Sequence, residues 1–366
     1  MNSLQSNDLY QELAAKFGFP QSKYLPMIIR KVATPDQAQM MLQLTATNDE
    51  IAERLHMDKA KVEVAMQELF EKGVAFPVRK GWRLGRMIDA LHDMTLTNLK
   101  FWDSYGGNEY GDLWREFEEK EWFPGILEFI KKSETPVGRT TPVMRTIPAW
   151  QAVADNPGLI PEEDIRELFK SATTLIAVPC PCRRETYNRE CGSPDEMCFS
   201  LGRSAEYNLK RGVGRKLTFD EAMEMIGRAQ KYDAVTQVPN CKITNQIICN
   251  CHSCCCVGFR SARQLGVTAN SFAASRYVAK VTDAEKCSAC QKCVETCQFE
   301  AVEIKKYPGM VKWKAFINAD KCRGCGNCVI KCKKKSIVLE LVRPPEYIPE
   351  EMTDMYTYDL ADKSAK

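Results

Sequence analysis

The sequence predicts an α+β protein: a helical first half, a cysteine-rich α/β centre, and a small carboxy-terminal unit of paired hairpins. Two observations carry this. All 18 cysteines of the 366 residues lie at or beyond Cys180, so the two halves differ in chemistry. Apolar spacing follows helical periodicity up to about Lys132, while strand-like runs gather after Thr174. The chain is longer than one domain of roughly 100–200 residues. Five segments are expected, at 25–86, 87–172, 173–276, 277–342 and 343–366.

Charge narrows the function classes. Fifty-one basic and 48 acidic residues leave a net charge of +3, which points to no chain-wide nucleic-acid or membrane surface. No run approaches the roughly 18 apolar residues of a membrane span, and Met1 to Tyr10 lacks the basic and apolar regions of a signal peptide. A soluble, cytoplasmic protein is expected.

In segment 25–86, Thr34-Pro35, Asn48 with Ile51, and Asp58 each open a helical period. Val62, Val64, Met66, Leu69 and Phe70 give the third helix an apolar face, and Gly73 stops it. A hairpin follows, Val74 to Val78 and Trp82 to Leu84 about a Lys80-Gly81 turn. This order resembles a winged helix, which implies DNA binding. However, Lys59, Lys61 and Lys72 are offset by Glu63, Glu68 and Glu71, and only Arg79, Lys80, Arg83 and Arg86 form a basic cluster. Without a basic stripe for phosphates, a protein-docking role is expected and nucleic acid is not.

From Met87 to Lys132 the pattern is helical and dense in aromatics, as in a core or interface. His56 and His92 fall in such helical patterns and attract no functional reading. Ser133 to Pro148 reads as a connector. A helix from Pro161 to Ala172 and a strand from Thr174 to Val178 then lead to Cys180.

Near the end, Cys287, Cys290, Cys293 and Cys297 are spaced x2, x2, x3, and Cys322, Cys325, Cys328 and Cys332 repeat that spacing. Three closely spaced thiols wrap one corner of a cube while the fourth leads away. A pair of four-cysteine zinc sites is the alternative, although zinc motifs usually join two close pairs. Strand signals flank both copies: Tyr277 to Val281, Val302 to Ile304, Lys314 to Ile317 and Ile337 to Leu341. The segment at 277–342 resembles the bacterial-type dicluster ferredoxins. That resemblance implies two 4Fe-4S clusters with crossed ligands. Cys287, Cys290, Cys293 and Cys332 would hold one, and Cys297, Cys322, Cys325 and Cys328 the other. Gln298 and Lys333 stand where that family commonly has proline. Lys305 to Trp313 lengthens the joining hairpin and is expected to contact a partner. Between Lys280 and Arg343, 14 basic and seven acidic residues leave a charge of +7, which predicts an acidic electron donor or acceptor.

Ten cysteines remain. Cys180, Cys182, Cys191 and Cys198 form one group, large enough for a third cluster or for zinc. Cys249, Cys251, Cys254, Cys255 and Cys256 form a second group of candidate cluster ligands, with His252 among them and Cys241 just upstream. Thr218 to Glu221 reads as a capping box for a helix to Lys231 that spaces the two groups. Arg183, Arg184, Arg203 and Lys210 are available to balance thiolate charge. The CPCR segment, the CNC-type segment and the dicluster motif together look like ferredoxin-like oxidoreductases of anaerobes, which implies no particular substrate.

Three functions follow. The chain is an electron-transfer protein or subunit of a larger oxidoreductase, with one or two further clusters in its centre. Alternatively, it is a reductase acting on a thiol, a disulfide or another small molecule at the dense centre, or a redox-sensing regulator. No G-x-G-x-x-G or P-loop is present, so electrons are expected from a protein rather than a nicotinamide. Whether the chain is itself an enzyme stays open. The tail from Arg343, with Pro344, Pro345 and Pro349, reads as extended.

Overall fold

A computed structural model describes residues 3–85, 87–125, 143–243, 246–266, 272–306 and 311–351. It is a mixed α+β structure, as expected. Helices α1 (Ser3–Lys16), α2 (Leu25–Val32), α3 (Pro35–Leu42), α4 (Asn48–Leu55) and α5 (Lys59–Lys72) build the amino-terminal part with the hairpin β1 (Ala75–Pro77) and β2 (Trp82–Leu84). Thr34 closes a capping box on α3, and Thr47, one residue before the expected Asn48, does so on α4. Asp58 caps α5, and Gly73 ends it in the left-handed conformation. Two of the α5 lysines are engaged within the protein. Lys72 is buried, donating to the Val32 carbonyl at 2.8 Å, and Lys59 pairs with Asp49. Arg86 lies outside the described residues.

The aromatics gather where α6 (Ile88–Thr97), α7 (Trp102–Tyr105) and α8 (Asn108–Phe117) meet α1 and α2 in one apolar core. Helix α8 continues into a π-helical turn, Glu118–Trp122. The expected connector, Ser133 to Pro148, lies partly outside the described residues. Its end is a strand instead, β3 (Met144–Thr146), because Arg145 and Thr146 pair with Val238 and Gln237.

The centre is a six-stranded antiparallel sheet, in the order β3-β7-β8-β5-β4-β6. Its strands are β4 (Leu175–Pro179), β5 (Glu196–Leu201), β6 (Arg215–Lys216), β7 (Val235–Pro239) and β8 (Ile247–Cys251), with β3 at one edge. Alternation along each strand splits the sheet into two chemically different faces. Leu175, Ala177, Phe199, Leu201, Val238 and Ile248 meet α9 (Ile165–Ser171) and α12 (Phe219–Lys231) on the first. Ile176, Val178, Cys180, Cys198 and Cys249 lie on the second, against Ala205 of α11 (Gly202–Lys210). Helix α12 starts at the expected Thr218 capping box, but it covers the apolar face and does not separate the cysteine groups.

Two short helices leave the thiol face. Helix α10 (Pro181–Glu185) begins at Cys180, and α13 (Val257–Gln264) at Cys256. Helix α8 crosses α10 closely. A Cβ at Gly111 would lie 3.0 Å from the Glu185 backbone, so glycine permits this approach.

The carboxy-terminal unit pairs β9 (Tyr277–Val281) with β12 (Ile337–Leu341), and β10 (Val302–Lys305) with β11 (Lys314–Ile317). Helices α14 (Lys292–Glu295) and α15 (Asn327–Lys331) follow the cysteine loops. The expected partner loop lies partly outside the described residues, at 307–310. The described part of the tail folds back on the centre, where Ile348 is buried and Lys242 donates to the Pro349 carbonyl at 2.9 Å.

Candidate metal centres

Both cysteine loops of the carboxy-terminal unit take the same backbone path. Left-handed residues recur at Ala289 and Gln291 in the first loop and at Gly324 and Gly326 in the second. They recur again three residues past each fourth cysteine, at Glu300 and Lys335. Such a path turns the chain tightly about a point. Backbone N–H groups meet sulfur at that point: Ala315 approaches Cys287 at 3.4 Å, Ala301 approaches Cys297 at 3.3 Å, and Ala279 approaches Cys322 at 3.4 Å. Hydrogen bonds of this kind favour the thiolate and tune a bound cluster.

The thiols fall into two electrostatic neighbourhoods. Burial raises Cys293 to about 11, and Cys287, Cys290 and Cys332 add to it. Burial likewise raises Cys325, with Cys297 and Cys322 contributing. Cys297, Cys322, Cys325 and Cys328 also line one cavity with Ala279, Phe299 and Ile317. Cys328, of the second neighbourhood, also feels Cys293 of the first. The two sets differ in exposure. Cys290 is exposed, whereas Cys322 and Cys328 are buried.

The inner set faces the central sheet. Ala149 donates to the Cys325 carbonyl at 2.8 Å, and Asn327 donates to the Asp233 carbonyl at 3.0 Å. Thr296 and Lys331 both reach the Asp233 carboxylate, at 2.6 and 2.8 Å. Gln298, where proline is common in the resembled family, accepts from the Ser253 N–H at 2.9 Å and so ties the ferredoxin-like unit to the central cysteine loop.

The other cysteines regroup relative to the sequence expectation. Six of them form a closed ring of thiol contacts, running from Cys180 to Cys182, Cys256, Cys251, Cys249, Cys198 and back to Cys180. The reason is local. Cys249 and Cys251 are two apart on β8 and so share a face, while β5 brings in Cys198 and the starts of α10 and α13 bring in Cys180, Cys182 and Cys256. Hydrogen bonds from Cys182 and Cys198 lower Cys180 well below the usual thiol range, with Arg183 assisting. Cys182, Cys198, Cys249 and Cys251 are raised, each first by its bond to a neighbouring thiol.

Cys191 does not join Cys180, Cys182 and Cys198. The loop after α10 carries it to Cys254 and Cys255, whose thiols it contacts. Sulfur of Cys191, a ring nitrogen of His252 and sulfur of Cys254 lie within 4.8 Å of one another, all half-buried. Burial lowers His252, leaving its ring suited to act as a neutral donor atom. Cys241 stands apart, with its thiol on the Ile243 carbonyl at 3.1 Å.

Arg183 sits between the two thiol groups. Burial acts against its charge, but Cys180, Cys255, Cys198 and Cys251 raise it further above the usual guanidinium range. Its Nε donates to Ser193 at 2.7 Å, and its buried Nη2 has no hydrogen-bond partner among the described residues. A cation with a spare donor among nine soft thiols fits a negatively charged thiolate–metal group. The other basic candidates are spent elsewhere in part, since Arg184 pairs with Asp195 at 2.9 Å.

The sequence missed a further set. His92 is fully buried with Glu118 and Glu185, and Arg260 completes the cluster. A signal existed: Glu185 falls three residues after Cys182, and Arg260 four after Cys256, each about one helical turn behind a ring cysteine.

Residues 286–337 match the family model of the 4Fe-4S dicluster domain. No curated protein and no solved structure matches the chain. The dicluster domain implies two 4Fe-4S clusters, and the eight thiols of the two neighbourhoods are the donor set such clusters require. No helix among the described residues is long and apolar enough to cross a membrane.

Proposed function

We infer that the chain is a multi-centre electron relay, in which two ferredoxin-type clusters serve a further iron-sulfur centre bound by the central cysteines. One observation carries this reading. The same apolar core holds the ferredoxin-like cysteines together with Cys251 and Cys256 of the ring. Phe259 bridges them, its ring centroid 5.2 Å from Phe299 and 4.8 Å from Phe272.

Iron-sulfur groups supply one-electron chemistry, and this chain's residues set who exchanges electrons with them. Cys287, Cys290, Cys293 and Cys332 would hold the outer cluster, and Cys297, Cys322, Cys325 and Cys328 the inner one. The ring, with Arg183 offsetting charge, would hold the further centre, and half-buried Cys191, Cys254 and His252 border it towards solvent, with Cys255 buried. Structural zinc and a 4Fe-4S cube each take four ligands, so the number of ring thiols does not separate them and the metal content does. Counting iron, sulfide and zinc on protein purified without oxygen tests the assignment.

Exposed Cys290 marks the outer set as the port for a partner, and Lys286, Lys292, Lys333, Lys334 and Lys335 are basic residues of that unit. An acidic protein donor or acceptor within a larger oxidoreductase fits such a surface. Reduction by an acidic low-potential donor is expected to slow by at least about tenfold between low salt and roughly 1 M, where the Debye length falls to about 3 Å. Stopped-flow rates that stay level across that range would remove the acidic partner from the account.

The second reading, a reductase of a thiol or disulfide, draws on the half-exposed Cys191 and Cys254 beside His252. The regulator reading loses support from the inward turn of Lys72 and the pairing of Lys59.

A further inference from the structure

His92 is wholly buried, yet acidic groups meet both of its ring nitrogens. Nδ1 lies 2.7 Å from Asp93, and Nε2 lies 2.9 Å from Glu185 and 3.3 Å from Glu118. Both glutamates are fully buried, and Arg260 Nη1 reaches them at 2.8 and 2.6 Å. Glu118 stands on the π-helical turn, a distortion of α-helices often found at functional sites. Asp93 and Glu119, at the edges, are the carboxylates of this cluster that open to solvent among the described residues, and Arg260 is slightly exposed.

We propose that the His92–Glu118–Glu185–Arg260 cluster is a proton-loading site, which binds one proton from water when the redox centre that the neighbouring cysteine ring would hold gains one electron. This rests on the reading that the ring holds a redox centre.

Position supports it. Glu185 and Arg260 stand three and four residues beyond Cys182 and Cys256, about 6 Å or less along their helices. The Cys182 thiol already acts on the Arg260 charge. Charge balance supports it too. Above about pH 8, with His92 as imidazolium and Glu185 ionised, two cations face two buried carboxylates, and an added electron nearby is left unmatched. A proton restores the balance; buried surroundings make the imbalance costly.

Glu185 is the acceptor. Burial raises it to about 8, Glu118 adds to that, and His92 and Arg260 oppose it. Burial acts against charge on His92, but Glu185, Asp93 and Glu118 outweigh it and hold the value well above the ordinary one. In the balanced step one electron enters at the ring and one proton leaves bulk water. The proton enters along Asp93 and His92 and rests on a Glu185 oxygen, with His92 cationic before and after. On α8, Asp112 and Arg115 pair with each other and with Tyr187 and Asn188, so they take no part.

A divalent metal on His92, Glu118 and Glu185 is the competing occupant. Arg260 Nη1 already occupies the bridging position between the two carboxylates, which argues against a second cation there.

The test is a redox titration of the intact, anaerobically purified protein at several pH values. Above about pH 8 the central signal should fall by about 59 mV per pH unit, one proton per electron, because a tenfold change for one electron equals 59 mV. The two ferredoxin signals should stay level, and Glu185→Gln should flatten the central one. The unaltered protein gives a second readout in case that variant fails to fold: a carboxylic-acid carbonyl band that appears on reduction and shifts in D2O. A central signal independent of pH, without that band, overturns the proton site alone. Absence of any central signal overturns both it and the relay reading.

Discussion

Replacing Cys256 by alanine is expected to empty the central centre while leaving about eight iron atoms per chain, four in each ferredoxin-type cube. Cys256 links the strand side of the ring to the helix side, since its thiol contacts both Cys251 and Cys182. A cube takes four cysteines, so the expectation is that Cys256 is one of the four ring thiols that ligate it. The Phe259 N–H also interacts with the Cys256 sulfur, so the start of α13 loses a contact where the ring loses a thiol. Cys241→Ala is the control, as its thiol bonds to Ile243 and lies outside the ring. Iron content and the visible spectrum of the two variants should therefore separate. Equal loss in both, or loss in neither, would break the link between the ring and a metal.

Gly324→Ala should destabilise the carboxy-terminal unit by about 3 kcal/mol, measured by denaturant unfolding. Two costs add. The left-handed conformation disfavours a Cβ by roughly 1–2 kcal/mol. The new methyl would also collide with the Tyr277 carbonyl and the Ser275 hydroxyl, and overpacking against fixed backbone costs about 1–3 kcal/mol. The equivalent position of the first loop carries Ala289, with the same sign of φ, so the penalty belongs to the packing on β9 and not to the motif. Gly192→Ala pays for the conformation only, since nothing lies within 4 Å of its would-be Cβ, and should cost about 1 kcal/mol. Similar losses at both positions would refute the packing argument.

The carboxy-terminal unit was readable because its chemistry is written in adjacent residues. The spacing of Cys287 to Cys297 and of Cys322 to Cys332 defines local loops, and the flanking strands form within a residue of the expected bounds. Helix caps such as Thr34, Asp58 and Thr218 were readable for the same reason. The central site was only half legible. Cys249 and Cys251 reveal a shared strand face, but the pairing of β5 with β8, which sets Cys198 beside Cys249, joins residues about fifty apart. Cys191 was misgrouped because sequence proximity placed it with Cys182, while the loop after α10 folds it onto Cys254. His92 looked ordinary because its buried partners, Glu118 and Glu185, come from two other elements. Gln298 reads as a departure from the family until Ser253 is seen beside it.

Of the ten cysteines from Cys180 to Cys256, the nine other than Cys241 are expected to hold iron and sulfide beyond the dicluster domain. Metal and acid-labile sulfide counted on anaerobically purified chain test it most directly. The account predicts about twelve to sixteen of each per chain, the sum of two cubes and one or two further groups of four. A count of about eight of each, with zinc or nothing in the ring, would contradict it.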